Sequence, residues 1–185
     1  MLRLLVSLML LLPVAARAAP WVLDPATTVT VDVGWQGSTV AVRFPSLSGQ
    51  IDFDESHPDR TRATISVAAG AAETGVGVVD RLVRSPDYLG ADQFPTIAFK
   101  LDKLTQTSKS TADVAGRITF RGVTEPIRFK AQVTRYGPDT DDPSRFEAGF
   151  NLTGSIDRTR FGSTGGLPEV GAVLPVRIHL VMSSK

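Results

Sequence analysis

The stretch VAGRITFRGVTEPIRFKAQV, residues 114–133, alternates apolar and polar side chains twice over. Val114, Gly116, Ile118 and Phe120 fall on one side of an extended chain, and Ile127, Phe129, Ala131 and Val133 on one side of the next. Successive side chains of a strand point to opposite faces, so a period of two predicts two strands, each with an apolar and a polar face. That division suits an antiparallel sheet with water on one side.

The same period extends outward in both directions. Val29, Val31, Val33 and Trp35 form one row and Val40, Val42 and Phe44 the next, followed by Ile51 with Phe53 and Ile65 with Val67. Ile97, Phe99 and Leu101 precede the opening stretch. After it come Phe146, Ala148, Phe150, Leu152, Gly154 and Ile156, then Val176, Ile178, Leu180 and Met182. About eight or nine strands result, several about ten residues long, with polar turns such as RYGPDTDDPS between them. No βαβ spacing and no fixed-period repeat is present.

Such a sheet must hide its apolar face by closing on itself or by packing on a second sheet. Long strands favour closure, since roughly eight of them make a barrel with room for one small ligand. The fold class predicted is all-β, an antiparallel barrel, with an immunoglobulin-like sandwich as the alternative. Gly116, Ala131, Ala148 and Gly154 lie in phase with the aromatic residues. Either they leave an internal volume, which costs stability unless occupied, or each faces a bulky neighbour and the core closes. Both readings stand at this point.

One segment breaks the rhythm. In TGVGVVDRLVRSPDYL the apolar residues at 76, 79, 82 and 83 keep helical spacing, and Asp80 and Arg84 are placed to pair across one turn. Ser85-Pro86 reads as a second helix start, Gly90 as its stop, and Pro95 as the lead into a strand. The prediction is two short helical pieces presenting Val79, Leu82, Tyr88, Leu89 and Phe94, which cap one end of the barrel.

The N-terminus predicts export. Arg3 precedes an apolar run at 4–12 that is too short to span a bilayer, and Ala16 and Ala18 give the A-x-A cleavage pattern. A signal peptide over 1–18 and one domain over 19–185 follow, with a periplasmic or secreted location. The chain has 20 Lys and Arg against 19 Asp and Glu, and loss of Arg3 and Arg17 leaves a formal charge of −1. No basic stripe marks a nucleic-acid surface. The absence of cysteine excludes disulfides, thiolate zinc sites and a lipidated N-terminal cysteine. After the leader no apolar segment is long enough to span a membrane, and the oligomeric state is open, a dimer included.

Catalytic chemistry finds little to work with. His57 sits in the turn SHPD, and His179 lies opposite Ile178 and Leu180, toward water. Neither has metal-ligand spacing, and no GxSxG or phosphate loop is present. Asn151-Leu152-Thr153 is a glycosylation sequon inside a predicted strand. Asp157, Arg158 and Arg160 are placed either to meet the polar head of a ligand or to pair with one another at a turn. No catalytic or metal residue is expected.

Several motifs carry a family resemblance. TG, then VDRLVRSPDYLGADQFPTIAF, then GRITFRGVTEPI, then GF followed by SIDRTRFG, resembles the YceI-like family of exported polyisoprenoid-binding proteins. WVLDPATT and FPSLSGQIDFD fit the same pattern, so the resemblance covers nearly all of the mature chain. It implies an extended lipocalin-like barrel whose apolar interior holds a long-chain lipid. The family's usual Arg-Asp pair here reads Val79-Asp80, and a histidine two residues later is Leu82. Another common histidine is Trp35, a glycine is Val42, and an acidic residue is Arg160. The expected function is non-catalytic binding of an isoprenoid or quinone-like lipid, with no other cofactor. The alternatives are a hydrolase or isomerase acting in the same pocket, and a ligand-free structural barrel. The expected lining is Val33, Trp35, Phe44, Phe53, Ile65, Leu82, Tyr88, Phe94, Phe99, Ile118, Phe120, Phe129 and Phe150.

Overall fold

The computed structural model describes residues 21–184 apart from residue 55. The expected signal peptide at 1–18 and its cut before Ala19 lie outside the described residues. Ten strands form one antiparallel sheet: β1 (Trp21–Leu23), β2 (Thr28–Trp35), β3 (Ser38–Phe44), β4 (Leu47–Asp52), β5 (Arg62–Ala68), β6 (Thr96–Gln106), β7 (Thr111–Phe120), β8 (Val123–Pro138), β9 (Phe146–Asp157) and β10 (Val173–Ser184). The one α-helix among the described residues, α1 (Gly77–Arg84), lies between β5 and β6.

The ten segments build eight staves. β1 and β2 run one after the other along β10, with Trp21 opposite Ser184 and Val29 opposite Ile178. Between them the ladder is patched by Thr27, whose buried hydroxyl donates to the Val181 carbonyl at 2.8 Å and accepts from the Val181 N–H at 3.0 Å. β3 and β4 return along the same line, pairing with β2 and β1 and parting at Pro45, which has no N–H for the ladder. Each later strand pairs with its sequence neighbour, and β10 meets β1 to close the ring. The result is an eight-stave up-and-down barrel. Sequence periodicity undercounts the segments because both breaks leave the inward parity of the long staves readable.

The small in-phase residues divide. A Cβ on Gly116 would lie 2.5 Å from the Phe99 ring, and one on Gly154 would lie 2.6 Å from the Phe129 ring, so both glycines are covered by aromatic neighbours. Those two rings meet edge to face, with centroids 6.1 Å apart. Ala148 is sealed among Trp21, Ile51 and Met182, whereas Ala131 borders open space inside the barrel. Phe146 departs from its expected inward row. It is 43% exposed, and its ring stacks on Tyr136 instead.

The insert forms one helix, not two. Ser85 ends α1, with its N–H on the Leu82 carbonyl, and its own carbonyl accepts from Tyr88 and Gly90 in the following turns. Asp80 accepts from the Thr74 N–H and hydroxyl at 2.6 and 2.7 Å, and Arg84 donates to the Ala72 carbonyl at 2.9 Å. The expected Asp80–Arg84 pair is present at 4.0 Å. Arg121-Gly122, the β7–β8 turn, has both residues at positive φ, as a two-residue hairpin of matching twist requires. Arg121 donates there to the carbonyls of Pro86 and Tyr88, which fastens the insert over that end of the barrel. No described helix is long and apolar enough to cross a membrane.

Candidate functional site

The inward rows enclose a cavity of about 340 Å³ with almost wholly apolar walls. Pockets for small organic ligands usually measure roughly 300–1,000 Å³. Its lining reaches from Tyr88, Leu89 and Leu174 beneath the insert to Lys109 at the tip of the β6–β7 hairpin. β6, an 11-residue strand, spans most of that distance. At about 3.3 Å per residue such a strand is roughly 36 Å long, so the cavity follows the barrel axis.

Phe44, Phe53, Ile65, Tyr88, Phe99, Ile118, Phe120, Phe129 and Phe150 line the cavity. Val33, Trp35, Leu82 and Phe94 do not. Val33 packs against the buried Val42–Phe44–Ala72 cluster, and Trp35 closes β2 at 47% exposure. Leu82 is 52% exposed, because Asp80 on Thr74 and Arg84 on Ala72 set the rotation of α1. That rotation turns Val83, one residue and about 100° further round, into the lining. Phe94 lies over Gly90 and Gly122 with the Arg121 guanidinium 5.6 Å from its ring centre, and so clamps the insert from outside.

Of the insert residues expected to line the cavity only Tyr88 does so, and Val83 and Leu89 take the places expected of Leu82 and Phe94. Val31, Leu101 and Leu152, which share the inward rows, line the cavity as well. A β-bulge at Leu101/Lys103 brings Leu104 inward as well, and nothing in the local pattern signals it.

The three charged residues near the end of β9 serve the turn. Arg158 is 3% exposed and donates to the carbonyls of Gly171, Ser163, Gly165 and Val170 at 2.8–3.0 Å, with Tyr88 against its guanidinium. Burial lowers its pKa from the ordinary arginine value, opposed by Tyr88 and Asp157. Asp157 accepts from the Thr159 hydroxyl and N–H, which hold its carboxyl below the usual range. Arg160 pairs with Glu125 outside the cavity. Of the family departures, only Val42 lines the cavity, while Trp35, Val79, Leu82 and Arg160 lie off its wall.

At the far end polar residues border the cavity, although its wall stays almost wholly apolar. Thr61, Gln106, Ser108, Lys109, Ser110 and Thr111 border the cavity between the 3₁₀ turn Pro58–Arg60 and the β6–β7 hairpin. The buried Thr61 hydroxyl has no hydrogen-bond partner among the described residues. His57 pairs with Asp54, and His179 with Asn151, at separate exposed positions. No group of three or more metal-ligating side chains occurs among the described residues.

The model of the YceI-like domain matches residues 21–182. A UPF0312 protein of Pseudomonas fluorescens is 33% identical over 130 residues, covering 68% of this chain and 65% of its own. One from Pseudomonas savastanoi is 30% identical over 125 residues, covering 68% and 64%. The matched stretch thus spans just under two thirds of these relatives. Among solved structures, Burkholderia cenocepacia BcnA superposes with a TM-score of 0.77 at 20% identity, over 86% of this chain and 98% of that one. A polyisoprenoid binding domain from Saccharophagus degradans gives 0.65 at 16% identity, over 89% and 98%. These two likenesses show the same barrel. The eight-stave ring, the insert and the match across nearly every described residue place this chain in the YceI-like domain family.

Proposed function

We propose that the protein binds a long-chain apolar lipid of isoprenoid or isoprenoid-quinone type inside the barrel, without reaction, for carriage, storage or sequestration. The observation that carries this reading is the apolar cavity along the barrel axis. Left empty, an apolar void of this size would forfeit on the order of several kcal/mol of packing. A bound chain recovers that contact and gains about 25 cal/mol for each Å² of apolar surface withdrawn from water, less the cost of ordering the chain. The polyisoprenoid binding domain on the same fold supports the ligand class. The basic, apolar and A-x-A pattern of residues 1–18 supports an exported location, where such a carrier would move lipid through water.

The test is organic extraction of protein purified from the exported fraction, followed by mass spectrometry. The expected result is a long-chain apolar lipid at about one per chain. Folded protein that yields no lipid and takes up no added polyprenol would overturn the reading.

A further inference from the structure

The outer surface of the barrel carries its charge unevenly. Residues 96–130 hold seven Lys and Arg against three Asp and Glu, a formal +4 in a chain that totals +1. No run of sequence shows this, because alternate residues of β6, β7 and β8 turn into the barrel. Once the strands pair, Lys100, Lys103, Arg117, Arg128 and Lys130 share one exposed outer face with only Asp102 and Asp113. Lys103 and Arg128 stand on either side of Ala115, roughly 10 Å apart, and Lys130 stands opposite Asp113. Asp102 pairs with Arg117, whereas Lys100, Lys103, Arg128 and Lys130 form no ion pair among the described residues. The flanking strands bring no carboxylate: Lys100 meets Thr64 of β5, and Lys130 meets Thr153 of β9. Away from this face arginines are matched, Arg135 with Glu147, Arg160 with Glu125 and Arg177 with Asp32. Lys100 also stands directly opposite Arg117, a like-charge cross-strand pair that costs stability.

Resting on the lipid-binding reading, we infer that this outer face of β6–β8 docks the protein on an anionic phospholipid bilayer. Each Lys or Arg near such a surface adds attraction to its acidic head groups. From residue 100 to 130 the one exposed large apolar residue is Val123, which stands in the β7–β8 turn at the end of the barrel. A protein partner would need an apolar or aromatic centre, and a single-stranded nucleic acid would need stacking rings. A fluid anionic surface needs charge alone, and charge is what the face offers. The face also leads to the cavity. The hairpin that joins β6 to β7 carries exposed Lys109 at its tip and borders the cavity through Gln106, Ser108 and Ser110. Docking along β6–β8 therefore holds that end of the cavity beside the bilayer whose lipid it would take up or release.

The test is sedimentation of the protein, purified from the exported fraction, with two kinds of vesicle: phosphatidylcholine alone, and equal parts phosphatidylcholine and phosphatidylglycerol. At low salt the protein should bind the mixed vesicles and not the neutral ones, and binding should fall steeply as salt is raised. Arg128→Gln and Lys130→Gln should each weaken binding about fivefold, and the double variant more than either. Arg81→Gln removes the same charge from an exposed position of α1, off the face, and should leave binding unchanged. Lys100→Thr should weaken binding while the melting temperature holds or rises, because it removes a like-charge neighbour of Arg117. Equal binding to both kinds of vesicle, or an equal loss in Arg81→Gln and Arg128→Gln, would overturn the docking face. Double-stranded DNA bound as tightly as the mixed vesicles at the same salt would assign the face to a soluble polyanion and overturn the bilayer. Lipid extracted per folded protein should be the same for Arg128→Gln as for the unaltered chain. Extracted lipid without vesicle binding overturns the docking face alone, whereas protein that docks but neither holds nor takes up lipid overturns the lipid-binding reading.

Discussion

The two ends of the barrel use polar side chains in opposite ways. Beneath the insert, Arg158 ties the 162–172 loop together through four carbonyls, and Arg121 ties the insert to the β7–β8 turn through two more. A charge can be buried there because its donors meet carbonyls that would otherwise lack partners. At the β6–β7 end the polar residues bordering the cavity include an unpartnered hydroxyl and a lysine facing solvent. Polar residues at a barrel rim therefore do not by themselves mark a binding site.

The largest effect is expected where the seal is broken. Arg158→Met should cost about 3–5 kcal/mol in urea unfolding, since it leaves several buried carbonyls unpaired. A loss below about 1 kcal/mol would mean that water replaces the guanidinium and that the two ends are less different than their hydrogen bonds imply. Midway between the ends, Gly154→Ala would bring a Cβ within 2.6 Å of the Phe129 ring and 2.7 Å of the Arg128 carbonyl. Overpacking of that kind should cost about 1–3 kcal/mol, measured the same way, and should also narrow the cavity.

The lid is tested by a pair of adjacent residues. Val83→Asp places a carboxylate in the apolar lining and should reduce lipid recovered per folded protein, with the β spectrum preserved. Leu82→Asp, on the exposed face, should leave recovery unchanged and shift stability by no more than about 0.5 kcal/mol. Loss of lipid in both variants would show that the whole helix gates the cavity, and loss in neither would leave α1 a structural cap.

The smallest effect is a pH dependence of the insert. Hydrogen bonds from Thr74 lower the Asp80 pKa below its ordinary 3.8. A carboxylate with a depressed folded pKa contributes stability above the unfolded value and loses it as the pH falls through the folded one. Melting temperature should therefore carry no contribution from Asp80 to a pH slope between pH 5 and 8. The contribution should fade only under acid conditions below about pH 4, and Asp80→Asn should remove it.

Much of this architecture was legible as sequence. Rows such as Val114–Phe120 and Ile127–Val133 reveal strands because the alternation of side chains is a property of the extended backbone alone. The breaks at Asp24–Thr27 and Pro45 were not legible, since a stave continues across each of them with its inward row still recognisable. The motifs around the insert and around SIDRTRFG pointed to the family without any geometry.

Parity could tell inside from outside, but it could not tell a cavity wall from a sealed cluster. Ala131 and Ala148 are both in phase and both small, yet only the first borders open space, because Met182 and Trp21 cover the second. Gly116 and Gly154 left open whether they made volume or faced bulky neighbours, and they are seats for Phe99 and Phe129. Leu82 was the expected inward residue of α1, but hydrogen bonds at Asp80 and Arg84 set the rotation of the helix so that Val83 lines the cavity instead. Local alternation marked most of the residues that turn inward, because one backbone strand suffices to define it. Which of them meet empty space, and which polar groups are left without partners, depended on the register between strands and on bulges such as that at Leu101/Lys103, which exist only once distant segments have paired.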